Sequence, residues 1–347
     1  MGIVISKFGG TSLSDVDGFR RCARILSRRG QRQYVIVSAP GRRFDGDSKI
    51  TDLLSKGDDK SLSAVKRRFD EIARALGLAE SFSFFPQMSK SALVSRGEYS
   101  CAKMMAEFLG LPFVDAESLF FFDANGCLLR DKTACAIRDM ASRVPSAVIP
   151  GFYGALPDGS VRTFSRGGSD ISGALVARAA GAELYENWTD VSGFLMADPR
   201  VVKDPAGIER LTYRELRELS YMGATVLHED AIFPVHKAGI PTNIRNTNDP
   251  DHPGTMIVDK AKDAHYRYPI TGIAGHKNFS LISIEKAMMN AELGFGRRVL
   301  QAVEEFGISF EHLPTGIDTM CVVVSDVELN RYRDKLINRI NELCQPD

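Results

Sequence analysis

The run Lys7-Phe8-Gly9-Gly10-Thr11-Ser12 constrains the fold most, because it sets a lysine and a glycine turn at the mouth of an N-terminal apolar strand, Ile3-Val4-Ile5. After the turn, Ser14 and Asp15 are candidate caps for a helix whose apolar positions Val16, Phe19, Ala23 and Leu26 share one face. Backbone N–H groups freed by the glycines, with the helix N-terminus behind them, form a positive concavity in which Lys7 can reach a phosphate. The order of residues is neither G-x-x-x-x-G-K-[ST] nor G-x-G-x-x-G. Taken alone, the run fits a phosphate site and an ordinary strand-turn-helix corner equally.

A second run, Thr163-Phe164-Ser165-Arg166-Gly167-Gly168-Ser169-Asp170, again places arginine, glycines, a hydroxyl and a carboxylate before a helix, carried by Ala174, Leu175, Ala177 and Arg178 and closed by Gly181. A third, Glu186 to Gly193, is expected to follow a strand and lead to Asp198-Pro199-Arg200. Tyr34 to Val37, Pro112 to Val114, Ala147 to Ile149, Leu184 to Tyr185 and Thr242 to Ile244 are strand candidates between helical patterns, the rhythm of a mostly parallel sheet. Ligands of such sheets sit beyond the carboxyl ends of strands, where Lys7, Ser38, Gly151 and Thr189-Asp190 fall. Thr212 with Glu215 reads as a capping box, and Gly57 to Ala79 as a helical insertion solvated on one side.

The pattern changes after a short polar linker at residues 259–263. Ile270 to Glu285 reads as extended, Phe295, Val299, Val303 and Phe306 as a helix, Ile308 to Leu313 and Met320 to Val324 as strands, and Leu329 to Leu343 as an amphipathic helix. The order is βαββα.

With 44 basic and 44 acidic residues in 347, the chain carries no net field to draw it to nucleic acid or a membrane surface. No stretch approaches the roughly 20 apolar residues of a spanning helix, and the first residues lack the charged-then-apolar layout expected of a signal peptide. The six dispersed cysteines form no C-x-x-C pair and no metal-ligand spacing with histidine, so no metal site is expected and the compartment is read as a reducing cytoplasm.

With KFGGTS, Val37 to Gly41 (VSAPG), Ile50 to Leu54 (ITDLL), Ser95 to Glu98 (SRGE), FSRGGSD, TDVSG and the Asp198-Pro199-Arg200 triplet in order, nearly the whole chain resembles the aspartate kinases of the amino-acid kinase family. The resemblance implies an α/β, three-layer αβα amino-acid kinase fold over residues 1–260. It also implies a ferredoxin-like (ACT) α+β module over 268–347, a single one lacking its last strand where family members usually carry two. It implies that ATP, with Mg2+, phosphorylates the side-chain carboxylate of L-aspartate to 4-phospho-L-aspartate. Lys7 and Asp170 are then the catalytic residues. Ser38, Thr51, Glu98, Arg166 and Ser169 bind aspartate, Glu98 meeting its ammonium and Arg166 its non-reacting carboxylate. Lys7, Gly9, Gly10, Ser12, Thr189, Asp190 and Arg200 bind ATP. An effector such as lysine or threonine is expected near Gly294, Phe295, Ser309 and Glu311, in a homodimer or higher oligomer.

Two positions depart from the family pattern: Thr225 stands where many members have a nucleotide-contacting lysine, and Leu195 where an aromatic is common. Two alternatives stay open, a kinase for another small acid and a non-catalytic effector-binding subunit.

Overall fold

Apolar residues on both faces make strand β1 (Val4–Phe8) a central one, and all five of its residues are buried. The computed structural model describes residues 2–28, 32–84, 88–165, 167–221, 231, 233–260 and 268–347. It divides the chain into two units, Met1–Ala274 and Gly275–Asp347.

In the first unit β1 leads into α1 (Val16–Ser27), β2 (Arg32–Val37), α2 (Ile50–Lys56), α3 (Asp59–Leu76), α4 (Lys90–Leu109), α5 (Arg130–Arg143) and β3 (Ala147–Pro150). A hairpin of β4 (Tyr153–Ala155) and β5 (Val161–Thr163) precedes α6 (Gly168–Ala179) and β6 (Leu184–Thr189). A second hairpin, β7 (Phe194–Leu195) with β8 (Gly207–Ile208), is followed by β9 (Arg210–Thr212), α7 (Tyr213–Tyr221), α8 (Phe233–Lys237), β10 (Thr242–Asn246) and β11 (Thr255–Val258).

The sheet order is β3-β2-β1-β6-β10-β11-β9, parallel from β3 to β10, with β11 antiparallel to β10. Alternation sends Ile5, Tyr34, Ile36 and Tyr185 to a core shared with α5 and α6, while Phe8, Val35, Val37 and Trp188 meet α1, α2, α3 and α4 on the other side. This is the mostly parallel sheet expected from the strand-helix rhythm, in the three-layer αβα arrangement that the resemblance implies.

Several local readings change. Asp15, not Ser14, caps α1, its carboxylate accepting from Gly18 N at 2.8 Å. Pro112 to Val114 makes one bridge, Phe113 to Val148, instead of a strand. Glu186 to Thr189 is the strand itself. The Thr212–Glu215 box forms reciprocally, Thr212 N to Glu215 Oε2 at 2.7 Å and Glu215 N to Thr212 Oγ1 at 3.2 Å. Helix α3 is more than an insertion: Val65, Phe69 and Ile72 are part of the core, and Arg68 is buried beside them.

Residues 268–274, expected to open the second domain, belong to the first unit. Ile273 N donates to Met196 O at 2.7 Å and Thr271 Oγ1 to Glu215 Oε1 at 2.5 Å. Residues 261–263 of the expected linker lie outside the described residues.

The second unit runs β12 (Phe279–Glu285), α9 (Phe295–Glu305), β13 (Phe310–His312), β14 (Thr319–Ser325) and α10 (Asp326–Cys344), with antiparallel sheet order β12-β14-β13. Met320, Val322 and Val324 alternate inward to join Val299, Val303, Leu336 and Ile340 of the two helices. On the edge strand β12, Leu281 is 58% exposed. Asp347 N reaches Glu285 O at 2.9 Å, so the chain leaves α10 along that edge.

Candidate active site

The parallel register of β1 and β6 sets Lys7 opposite Asn187 and Ser6 opposite Glu186. Successive side chains leave a strand on opposite faces, so the two pairs serve different layers. On one face Glu186, fully buried, accepts from Ser6 Oγ at 2.9 Å and Trp188 Nε1 at 3.0 Å. On the other, toward α6, Lys7 Nζ lies 2.5 Å from Asp170 Oδ1 and donates to Asn187 Oδ1 at 3.5 Å. Asn187 Nδ2 donates in turn to Asp170 Oδ1 at 2.8 Å. Lys7 is only 7% exposed, and an ammonium so placed needs this carboxylate to offset its lost hydration.

Asp170 comes to Lys7 because α6 opens beside β1. Gly167, with φ of 74°, turns the chain into the helix in the left-handed region where a side chain would strain. Ser169, buried, packs on Gly151 just past β3.

The glycine turn lies against the loop that follows β2. Ser38 N donates to Phe8 O at 3.2 Å and Gly41 N to Gly10 O at 2.7 Å. A Cβ on Gly10 would come within 2.7 Å of Ala39 O, and one on Gly41 within 2.6 Å of the Gly10 carbonyl carbon. The Gly9 amide is not free for a ligand. It donates to Trp188 O at 2.9 Å, carrying the β1–β6 ladder one residue past the strand.

Glu98, on α4, is 3% exposed. Burial raises its carboxyl to about 8, tempered by a hydrogen bond from the Ala39 backbone. Its Oε2 has no partner among the described residues. Thr51 is half-buried in the first turn of α2, at the far end of the same loop.

Other expected contacts are engaged elsewhere. Ser12 is buried, its hydroxyl 3.0 Å from Thr247 Oγ1, so it docks the turn onto β10's end instead of facing a nucleotide. Thr189 Oγ1 donates to Asp190 Oδ1 at 3.1 Å beyond β6. Arg200, with an 86% exposed side chain, forks onto Asp198 at 2.6 Å, which raises its pKa. Leu195 is 40% exposed on β7. Arg166 and Thr225 lie outside the described residues.

In the second unit Gly294 caps α9 with φ of 80°, and the Phe295 ring is buried in that unit's core, so its side chain is not available to a ligand at the loop. Ser309 N donates to Glu328 Oε2 at 3.1 Å, and Glu311 is exposed on β13.

Asn187 was not singled out from sequence, although strict alternation along Glu186-Asn187-Trp188 separates it from its neighbours and places it with Lys7. Arg68 also had a signal: it stands in the apolar stripe Val65, Phe69, Ile72 at helical spacing.

A buried lysine at a strand end, balanced by a carboxylate from a helix N-terminus and flanked by a glycine turn, suits a small-molecule kinase. A profile of the amino acid kinase family matches residues 2–246. The chain belongs to the amino acid kinase family. Aspartokinase 3 of Bacillus subtilis is 36% identical, the match spanning 99% of this chain and 82% of that protein. Lysine-sensitive aspartokinase 3 of Escherichia coli is 27% identical over 99% and 84%. An aspartate kinase of Clostridium acetobutylicum superposes with a TM-score of 0.89 at 43% identity, covering 100% of this chain and 83% of that one.

Proposed function

We propose that this chain is an aspartate kinase, transferring the γ-phosphoryl group of ATP to the side-chain carboxylate of L-aspartate to give 4-phospho-L-aspartate, in amino-acid biosynthesis toward lysine, threonine and methionine. The observation that carries this reading is Glu98: a buried carboxylate with an unpartnered oxygen, beside the end of β2 and next to the strand of Lys7, suits an ammonium-bearing substrate. An acetylated amine has no charge for it to bind. The aspartokinase relatives support the same substrate. The structure of Escherichia coli aspartokinase III, at 24% identity alike in fold only, was solved with aspartate and ADP.

The acceptor carboxylate, with an unperturbed pKa near 3.9, is ionised at neutral pH and needs no general base. The barrier is the repulsion between that carboxylate and the triphosphate, about 4 kcal/mol for each charge pair at 4 Å and an effective dielectric near 20. Lys7 answers it with a fixed ammonium, which Asp170 and Asn187 hold in place until a phosphate takes over. Gly10, assigned to the phosphate side, lets the loop after β2 close on the turn, while Gly9 anchors the turn to β6. Ser38, Thr51 and Ser169 border the aspartate, and Arg166 is assigned its non-reacting carboxylate. Thr189 and Asp190 lie on the nucleotide side, with Arg200 reaching phosphates once released from Asp198.

Among the described residues no group of three or more His, Cys, Asp or Glu could hold a metal ion. A magnesium ion would come with the triphosphate, and Asp170 would orient Lys7 or a water on that ion. When bound, magnesium neutralises phosphate charge.

Gly275–Asp347 is assigned as an ACT-type module, from its order βαββα and its antiparallel sheet. Its effector, an amino acid such as lysine or threonine, is assigned by this reading to the Gly294 loop and the Ser309 to Glu311 segment. The Escherichia coli enzyme was also solved with lysine and aspartate. Among the described residues no helix is long and apolar enough to cross a membrane; a cytoplasmic location is proposed with the biosynthetic role.

The non-catalytic alternative is disfavoured by the intact Lys7–Asp170 pair. A coupled assay of ADP release across aspartate, glutamate and acetylglutamate tests the proposal. Turnover with aspartate alone is expected, and equal or greater turnover with acetylglutamate overturns it.

A further inference from the structure

We propose that Arg68 is a positioning residue that clamps the aspartate-side loop, residues 38–51, onto the glycine turn. The inference rests on the assignment of that loop to aspartate. Arg68 stands on the buried face of α3 and is 5% exposed. Its Nη2 donates to Ser14 O at 2.8 Å and to Gly41 O, and its Nη1 donates to Ser48 O at 3.2 Å and lies 3.5 Å from Asp47 Oδ2. One guanidinium thus joins three separate places: the exit of the glycine turn, the entry of the loop and its far end.

A planar fork with five donors can satisfy such a set, whereas a lysine ammonium on the same stem serves one point. The loop is the element that carries Ser38, the Ala39 backbone that binds Glu98, and Thr51. Its closest approach to the turn, Gly41 N to Gly10 O, is one residue's own carbonyl away from Arg68. Val65, Phe69 and Ile72 seat α3 in the core, so the arginine holds the loop from a rigid support. Asp47 in turn accepts from Arg43 N at 3.1 Å and Arg43 Nε at 2.9 Å, closing the loop's tip on itself.

The test uses the full chain with Arg68→Met, Arg68→Lys and Asp47→Asn, each read by steady-state kinetics and by limited trypsin cleavage at the exposed Arg42 and Arg43. Arg68→Met is expected to raise the aspartate KM about tenfold or more while the ATP KM stays within about twofold, and to speed cleavage. Arg68→Lys recovers only part of this, and Asp47→Asn shifts both readouts the same way by less. A folded Arg68→Met protein with unchanged aspartate KM overturns the proposal, even if cleavage is faster. Should Arg68→Met fail to fold, Asp47→Asn decides: unchanged aspartate KM and unchanged cleavage overturn the clamp. A wild-type chain without aspartate-dependent ADP release fails the proposed function, and in that case unchanged cleavage of a folded Arg68→Met protein overturns the clamp as well.

Discussion

Lys7 Nζ and Asp170 Oδ1 are 2.5 Å apart, although they stand 163 positions apart in the chain, and the Asn187 side chain bonds to both. The pair presets an ammonium at the end of β1 without leaving it uncompensated in the interior. Lys7→Ala should therefore fold and yet lose about 10² or more in kcat, the worth of one transition-state charge contact. Near-normal kcat in a correctly folded variant would remove Lys7 from the mechanism.

Asn187 orients both members of that pair and does not need to touch substrate. Asn187→Ala is expected to lower kcat by about 10- to 100-fold, the range for a hydrogen bond to a charged group, while the aspartate KM holds. A variant whose aspartate KM rises with kcat unchanged would place Asn187 in the acceptor pocket instead.

The proposed pairing of Glu98 with the substrate ammonium predicts that aspartate binding depends on pH. Burial raises its carboxyl from the usual range to about 8, so the folded protein binds a proton there that the unfolded chain has released. Stability at this site accordingly falls as pH rises from about 4.5 to 8. Binding runs the other way, because the substrate ammonium pairs with the ionised form. The aspartate KM should fall by up to about tenfold per pH unit on approaching pH 8 and then level off. Glu98→Gln should raise that KM and flatten its profile between pH 6 and 8. A wild-type profile already flat over the same interval contradicts the assignment.

The contact between Gly10 and Gly41 leaves no room for a side chain on either residue. Gly41→Ala should push the loop off the turn and destabilise the chain by about 1–3 kcal/mol, the usual cost of overpacking. Thermal unfolding with and without ATP reads it, and a melting temperature equal to wild type would show that the loop yields freely.

In the second unit the β12 edge and the exposed Leu281 offer a pairing surface. We expect a dimer or higher oligomer that uses this edge, weakened by Leu281→Lys. Sedimentation at micromolar concentration checks it: a wild-type monomer refutes the pairing. Calorimetry with lysine and threonine tests the effector site separately, and no heat from either leaves the unit structural.

Much of this protein was legible in its sequence because the signals are local. Apolar runs, alternation and glycine turns located β1, β2, β3, β6 and β10, the helices of the second unit, and the Thr212–Glu215 box. The order of the motifs, through the resemblance to aspartate kinases, named Lys7 and Asp170 as catalytic candidates without their geometry. Tertiary structure decided what depends on partners far along the chain. The register between β1 and β6 put Asn187 beside Lys7, sent Ser6 to Glu186, and gave the Gly9 amide to Trp188 O instead of a ligand. A shift of one residue would move Lys7 to the opposite face, and no local propensity forbids it. Packing likewise made α3, read as an insertion solvated on one side, a wall of the core, and gave the buried Arg68 its backbone partners Ser14 O and Ser48 O. The reason is the same in each case: a side chain's face is written in its periodicity, but what meets that face is set only when the layers close.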